Sequence, residues 1–570
     1  RLIGNIAARY AFSDHLSLSV RSGMDYANDQ RSFRRNYSSN RFKNGAYSEQ
    51  TVYFKEVNTD FLLNYNRDIN AFTLDLSAGG NRMDQYGANR QTLANSLAQA
   101  GVFSLANAAT PLEIVSNDAR KRINSFYGSA KIGFKNFIFL DITGRNDWSS
   151  ALATPSSTTN TSFFYPSVSG SFVFSNAFRL PDYFSFAKVR ASVAKVGNDT
   201  DPFQTAGVFV PATPFSSQPT FTAQSFIANA NLRPESISSY EIGADIRFFD
   251  DRLRVDATYY DGKTENQIIA LPVAISSGYK QQVVNGGSVR SRGIEIMAGI
   301  TPFRKKNFQW NTMLNFSRNI ATVEDLPDGI DRLTLAYNRV YDNVNQTVWV
   351  QVEEGGRIGD LYGTGYKKNE DGAFIINAAG GYTVDNTLKK LGNYNPDFIL
   401  GFSNQFRYKS WNLGFLFDWR QGGVLVSRTL ALAAVGGQLI ETASRPTEGI
   451  VAQGVVNTGT PEAPVYAPNT KAVPAETYYR QYYDRNHEEH NTYDASYLKL
   501  REFTLGYTIP CKKERALTLA LIGRNLFAFS AIPHFDPEQL SVQGQQFVSG
   551  VEDMSYPTSR SVGFKIGFNF

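Results

Sequence analysis

The residue types best suited to chemistry crowd one short stretch, DRNHEEH, which holds Asp484, His487, Glu488, Glu489 and His490. Imidazoles and carboxylates bind zinc, but helical zinc sites space two histidines four apart around a glutamate, and here the histidines are three apart in a polar run. The stretch reads as a solvated loop, and no metal is expected on it. His15 and His534 lie far off along the chain, and Cys511 is the single cysteine. That excludes an intramolecular disulfide framework and a multi-cysteine metal knuckle, and no Ser-His-Asp or Cys-His set can be assembled. YGTGYKK has glycines and lysines without phosphate-loop spacing and reads as a turn. The following NEDGAFIINAAGGYTVDNT lacks the alternating carboxylates of a calcium loop. No catalytic residue, cofactor or metal is expected.

The second concentration is aromatic. Tyr478, Tyr479, Tyr482 and Tyr483 sit in TYYRQYYDRN. Tyrosine and arginine are the types that contact hot spots favour. These rings either stack on sugar or peptide groups, or pack their loop against neighbours. They form the candidate contact surface for a ligand or a lid.

The elements that carry such loops show a period of two. In HLSLSVRSGMDY, Leu16, Leu18, Val20, Met24 and Tyr26 face one way, and Ser17, Ser19, Arg21 and Asp25 the other; WNLGFLFDWR opposes Trp411, Leu413, Phe415, Phe417 and Trp419 to Asp418 and Arg420. About seventeen segments fit this template: 2–12, 16–27, 52–67, 70–84, 122–134, 136–148, 163–174, 185–197, 236–249, 252–264, 282–300, 307–319, 396–409, 411–422, 496–510, 514–525 and 560–570. Within pairs the connections are short (FSD, FDD, YKS, CKK); between pairs they are long, at about 85–121, 198–235, 423–495 and 526–559.

Aromatic residues are 14% of the 570, with 42 Phe and 30 Tyr, which suits pleated surfaces. The net charge of +5 comes without basic runs, so nucleic acid is not an expected partner. No apolar run approaches the roughly 18 residues of a membrane helix. Strands of this length, short turns at one end and long loops at the other predict an all-β transmembrane antiparallel barrel. Sandwich strands are shorter, at about 5–6 residues, and propellers repeat. Asp141, Arg145, Asp147, Glu295, Asp418 and Arg420 fall on the polar face and are expected to line a wet lumen.

Several stretches, in order, resemble the SusC/RagA family of TonB-dependent outer-membrane transporters. They are RNDWSSAL with FFYPSVSGSFVFSN, KVRASVAKVGND, NLRPESISSYEIGADIRFFDDRLRVDATYYDGKTENQI, EEGGRIGDLYG, GNYNPDFILGFSNQFRYKSWNLGFLFDWRQGG, YLKLREFTLGYTIP, GRNLFAFS and HFDPE. The resemblance spans about residue 120 to Phe570. It implies a barrel of about 22 strands, so residues 1–570 are expected to be its C-terminal part. The signal peptide, TonB-engaging segment, plug and first strands are expected to lie outside this chain. It further implies a Bacteroidota-like cell outer membrane and TonB-driven import of oligosaccharides or peptides under a SusD-like lipoprotein lid, with no enzymatic activity. The competing expectation is an accessory barrel subunit, in a larger assembly for protein export or barrel insertion, that has lost import. In the last strand, SRSVGFKIGFNF, the resemblance makes Phe568 and Phe570 part of the signal read by the barrel-insertion machinery.

Overall fold

The computed structural model describes all residues except 40–41, 217, 340–346, 512–514, 533–535, 540, 544–545, 557 and 570. Its main element is an antiparallel sheet of seventeen strands. They are β1 (Leu2–Ala11), β2 (Leu16–Tyr37), β3 (Asn44–Ile69), β4 (Phe72–Ala94), β5 (Glu113–Phe134), β6 (Ile138–Ser149), β7 (Ser162–Val173), β8 (Phe184–Asn198), β9 (Glu235–Phe248), β10 (Leu253–Glu265), β11 (Ser288–Lys305), β12 (Phe308–Asp325), β13 (Phe398–Tyr408), β14 (Trp411–Gln421), β15 (Tyr497–Pro510), β16 (Ala516–Ser530) and β17 (Ser561–Asn569). Every segment read from the period of two contributes one of these strands. Among the described residues no helix is long and apolar enough to cross a membrane.

The chain divides into two compact units. The first comprises Arg1–Arg179, Val189–Glu241 and Gly262–Ser288; the second comprises Leu180–Lys188, Ile242–Asp261 and Val289–Phe570. In the first unit β1 to β7 pair in sequence order. One cross-strand row runs Val20, Phe61, Gly80, Phe126, Asn146, Phe164. Val20 and Phe61 are 45% and 43% exposed, Phe126 and Phe164 both 60%. Large apolar side chains set side by side and uncovered are what a lipid-facing sheet requires.

Strands β2 to β5 are longer than the period of two predicts, at 22, 26, 23 and 22 residues. Pairing of β4 with β5 continues to Leu93 and Glu113, so about half of the stretch read as a loop over 85–121 is paired strand. The reason is physical: past the apolar rows much of both faces of this ribbon is polar, and no alternation marks it. The segment read as 282–300 is two strands, Gln281–Asn285 and β11, separated where Gly287 takes φ +74°.

In the second unit β12 to β17 pair in sequence order, with the row Trp310, Phe406, Leu413, Leu505, Leu521, Phe564. The buried core of this unit sits mainly in its insertions. Between β12 and β13 a four-stranded sheet forms from Arg332–Arg339, Thr347–Glu353, Asp360–Tyr366 and Val384–Asn393, so YGTGYKK, read as a turn, is strand through Tyr366, its glycines leaving room for Leu391, Lys389 and Glu489. Between β14 and β15 come helices α1 (Arg428–Val435) and α2 (Ala475–Tyr482). Val348, Val350, Leu361, Val426, Val548 and Val551 join segments from three insertions into one cluster.

Candidate functional site

The four tyrosines are on a helix, not a loop. They occupy α2 and the residue after it, a helix begun by Pro474 and carrying an exposed Glu476–Arg480 pair at 3.0 Å. Tyr478 and Tyr482 turn inward against Tyr366, Phe374, Tyr382 and Ile376. Tyr482 stacks on His490 at 4.0 Å and 13°, and Tyr366 lies on the same imidazole at 4.8 Å and 26°. Tyr479 faces outward, its hydroxyl donating to the carbonyls of Glu441 at 2.6 Å and Ser444 at 3.1 Å. With Tyr483, Pro446, Gly449 and Ile450 it lines a cleft of about 470 Å³. Burial, and then the neighbouring Tyr482, push the Tyr483 hydroxyl up to about 12. All four tyrosines therefore border the cleft, Tyr478 and Tyr482 with their inner sides packed on the buried cluster and Tyr479 and Tyr483 facing outward.

DRNHEEH is not a solvated loop. His487 is 9% and Glu488 1% exposed. His490 Nδ1 donates to the Tyr482 carbonyl at 3.0 Å, and His487 Nδ1 lies 3.0 Å from the Thr364 hydroxyl. Burial holds both imidazoles below their ordinary range. Glu488 faces Arg428, the first residue of α1, at 3.0 Å; both side chains are fully buried. Burial pushes the Glu488 carboxyl up to about 7 against the pull of Arg428. Glu489 is the opposite case. Burial raises it, but Lys368 at 2.7 Å, the Tyr366 amide at 3.0 Å and Lys389 at 3.0 Å hold it down at about 2. The partners come from remote segments, which is why the local sequence looked unsatisfied. Among the described residues no three His, Cys, Asp or Glu side chains are grouped to hold a metal ion.

The polar faces of the sheet carry further networks. In the first unit, Arg145 on β6 donates to Asp147 at 2.8 Å, to the Tyr165 hydroxyl at 3.0 Å and to the Ser125 hydroxyl at 2.7 Å; Tyr165 also bonds Asp147. Asp141 shares this face of β6, one of its carboxylate oxygens buried without a partner among the described residues. Towards the other end of β5, Lys121 pairs with Asp199 at 2.5 Å, and the Ser149 hydroxyl donates to the same carboxylate. In the second unit Arg501 bridges Asp418 and Glu538, each at 2.5 Å, and Lys499 bridges Asp536 and Glu538, each at 2.5 Å. Arg420 bonds the Tyr394 carbonyl. Burial raises the Glu538 carboxyl, but Arg501 and Lys499 hold it at about 2. Lower on the same face, Gln309, Asn311, Gln405, Arg407, Asn412 and Glu502 line a groove of about 490 Å³.

Glu295 lies exposed on β11, outside these networks. Phe568 is 46% exposed on β17, and Phe570 lies outside the described residues. Lys121, Asp199, Tyr165, Lys499 and Arg501 were not singled out from sequence. Arg501 had a signal, since the pair Arg501-Glu502 interrupts the alternation of β15 and marks a bulge there.

Long antiparallel strands with an exposed apolar row on one face and hydrogen-bonded charges on the other define an outer-membrane β-barrel protein. The chain belongs to the TonB dependent receptor-like, beta-barrel family, whose model matches residues 1–526. It is 25% identical to TonB-dependent receptor P3 of Formosa agariphila over 99% of this chain and 57% of that protein. To TonB-dependent receptor SusC of Bacteroides thetaiotaomicron it is 22% identical over 62% of this chain and 34% of that protein. The fold is that of the RagAB peptide transporter structure, with a TM-score of 0.74, 18% identity and coverage of 99% of this chain and 61% of that one. The chain spans about half the length of the curated relatives it matches.

Proposed function

We propose that this chain is the barrel part of a TonB-energised importer of oligosaccharides or peptides in the outer membrane, working under a SusD-like lipoprotein lid. The observation that carries the reading is the build of the second unit's insertions. They fold on one another around their own buried core, tied by Arg428–Glu488 and Glu489 to Lys368 and Lys389, and hold the Tyr479–Tyr483 cleft on a rigid helix. An aromatic cleft carried on the insertions suits capture of a cargo, and within the second unit the polar face with Asp418 and Arg420 suits its passage. TonB would act through segments outside this chain. RagAB is a peptide transporter, and the shared fold makes a peptide one of the two cargo classes to test.

The test is uptake of labelled oligosaccharides and of labelled peptides by cells carrying the full-length protein. Uptake of one class, lost on collapse of the proton gradient and weakened by Tyr479→Ala with Tyr483→Ala, supports the reading. Growth and uptake indifferent to the protein, with other outer-membrane proteins misassembled in its absence, would transfer it to the accessory role.

A further inference from the structure

On the apolar side of β2–β5, the row Val20, Phe61, Gly80, Phe126 is followed towards the long-loop end by three rows of different character. They are Ser22, Thr59, Arg82, Asn124; then Met24, Val57, Asp84, Arg122; then Tyr26, Lys55, Tyr86, Arg120. Tyr53, one row further, meets Tyr26 edge-to-face at 5.3 Å and Tyr86 at a tilt at 5.4 Å. The Arg120 guanidinium lies 5.2 Å from the centre of the Tyr86 ring. Asp84 is held by Arg82 at 2.7 Å and Arg122 at 2.5 Å. Among the described residues, neither Lys55 nor Arg120 meets a carboxylate. The patch thus sets Lys55, Arg82, Arg120 and Arg122 against Asp84, with Asp118 one row further taken up by Arg90, and Lys55, Asp84, Arg120 and Arg122 line a cleft of about 630 Å³.

We infer that this patch seats the phosphorylated sugar headgroup of an outer-leaflet lipid. Three observations commit it to that occupant. The patch continues the exposed apolar face without a break, so what touches it also touches acyl chains. Its rows stand two to six residues beyond the Phe61–Phe126 row, which is about 5–15 Å of height for a tilted strand and matches the headgroup layer. Its composition, tyrosine with surplus Lys and Arg, is that of a membrane interface facing anionic headgroups. The end is the outer one, because the opposite end of these strands turns tightly at 70–71 and 135–137. Imported cargo is the poorer fit, since the opposite face of the same strands, with Arg21, Asp60 and Glu56, is the polar one.

The experiment uses the full-length protein in detergent micelles and measures binding of diphosphoryl lipid A, the same lipid stripped of phosphate, and phosphatidylcholine. Lys55→Gln with Arg120→Gln should weaken diphosphoryl lipid A about thirtyfold, at about fivefold per cation, and leave the other two unchanged. Lys55→Arg with Arg120→Lys should bind as the unaltered protein does. Heat-modifiable migration checks folding, and single Arg120→Gln replaces any variant that fails it. Equal binding by the Gln variant and the unaltered protein overturns the inference. So does equal binding of phosphorylated and stripped lipid. Loss of saccharide or peptide uptake with lipid binding intact also overturns it, and would make the patch a cargo surface.

Discussion

At the scale of the residue, adjacent glutamates meet opposite fates. Glu489 has three donors and titrates at about 2; Glu488 is wholly buried beside one arginine and titrates at about 7. A carboxyl held down contributes stability that is present above its unfolded value and lost as pH falls through the folded one. Glu489→Gln should therefore destabilise the inserted segments at pH 7, and the deficit should shrink below about pH 4.5 and vanish near pH 2. Hydrogen exchange of α2 and of residues 488–491, followed against pH, checks this; a deficit constant with pH would mean that Glu489 acts by packing alone. Arg428 tests the buried pair from the other side. Above about pH 8, where Glu488 is charged, replacing Arg428 with Met leaves that carboxyl buried without its partner and should cost up to about 3–5 kcal/mol, much of it recovered in Arg428→Met with Glu488→Gln, because two neutral groups then replace a broken ion pair. Chemical unfolding of the two variants measures the difference.

At the scale of the element, the legible part of the sequence is the part with one dry face. WNLGFLFDWR and YEIGADIRF alternate because lipid touches one side only, and their strands fell where the period placed them. Strand ends such as NDQRSFRRNY in β2 carry no such contrast and could not be separated from loop. The insertions were illegible for another reason: their cores are assembled from short pieces, such as Val348, Val426 and Val551, that meet only in three dimensions. The tyrosine quartet was visible as a cluster, but its division into inward and outward pairs follows from helical spacing in a stretch read as loop. Arg501 ties these scales together. Against β14 it is the extra residue of a bulge, so in that pairing Leu500 stays on the apolar face and Glu502 on the polar one whether or not it is present. Deleting Arg501 should thus leave the strand able to pair and the protein able to assemble, while freeing the segment anchored through Glu538 to faster proteolysis. Deleting Thr504 should flip half the strand and abolish assembly. Heat-modifiable migration and limited proteolysis separate the two outcomes.

At the scale of the whole molecule, the seventeen-stranded sheet must satisfy two solvents, and the second unit shows how depth is encoded. Tyr408, Trp411 and Tyr507 sit level at one end of the apolar rows, and Trp419 at the other. Trp411 and Trp419 are separated by about 27 Å of strand, or ~20 Å of depth at a tilt of about 40°. That span is close to the apolar band of an outer-membrane barrel with its aromatic girdles, and Phe415 lies at its middle. A charge introduced on the lipid face should therefore cost by depth. Phe415→Arg should destabilise the full-length protein in phospholipid bilayers by about 2–4 kcal/mol, and Tyr408→Arg by about 0–1 kcal/mol. Both side chains are on the same face of neighbouring strands, and Tyr408 is 53% exposed. Area burial alone predicts a modest gap, whereas a hydrocarbon slab predicts a steep one. Urea unfolding in bilayers of two thicknesses distinguishes them: in the thinner bilayer Tyr408→Arg should become cheaper still while Phe415→Arg stays costly. Equal penalties at the two positions would mean that this face meets protein, and the lipid assignment of the row would fall with it.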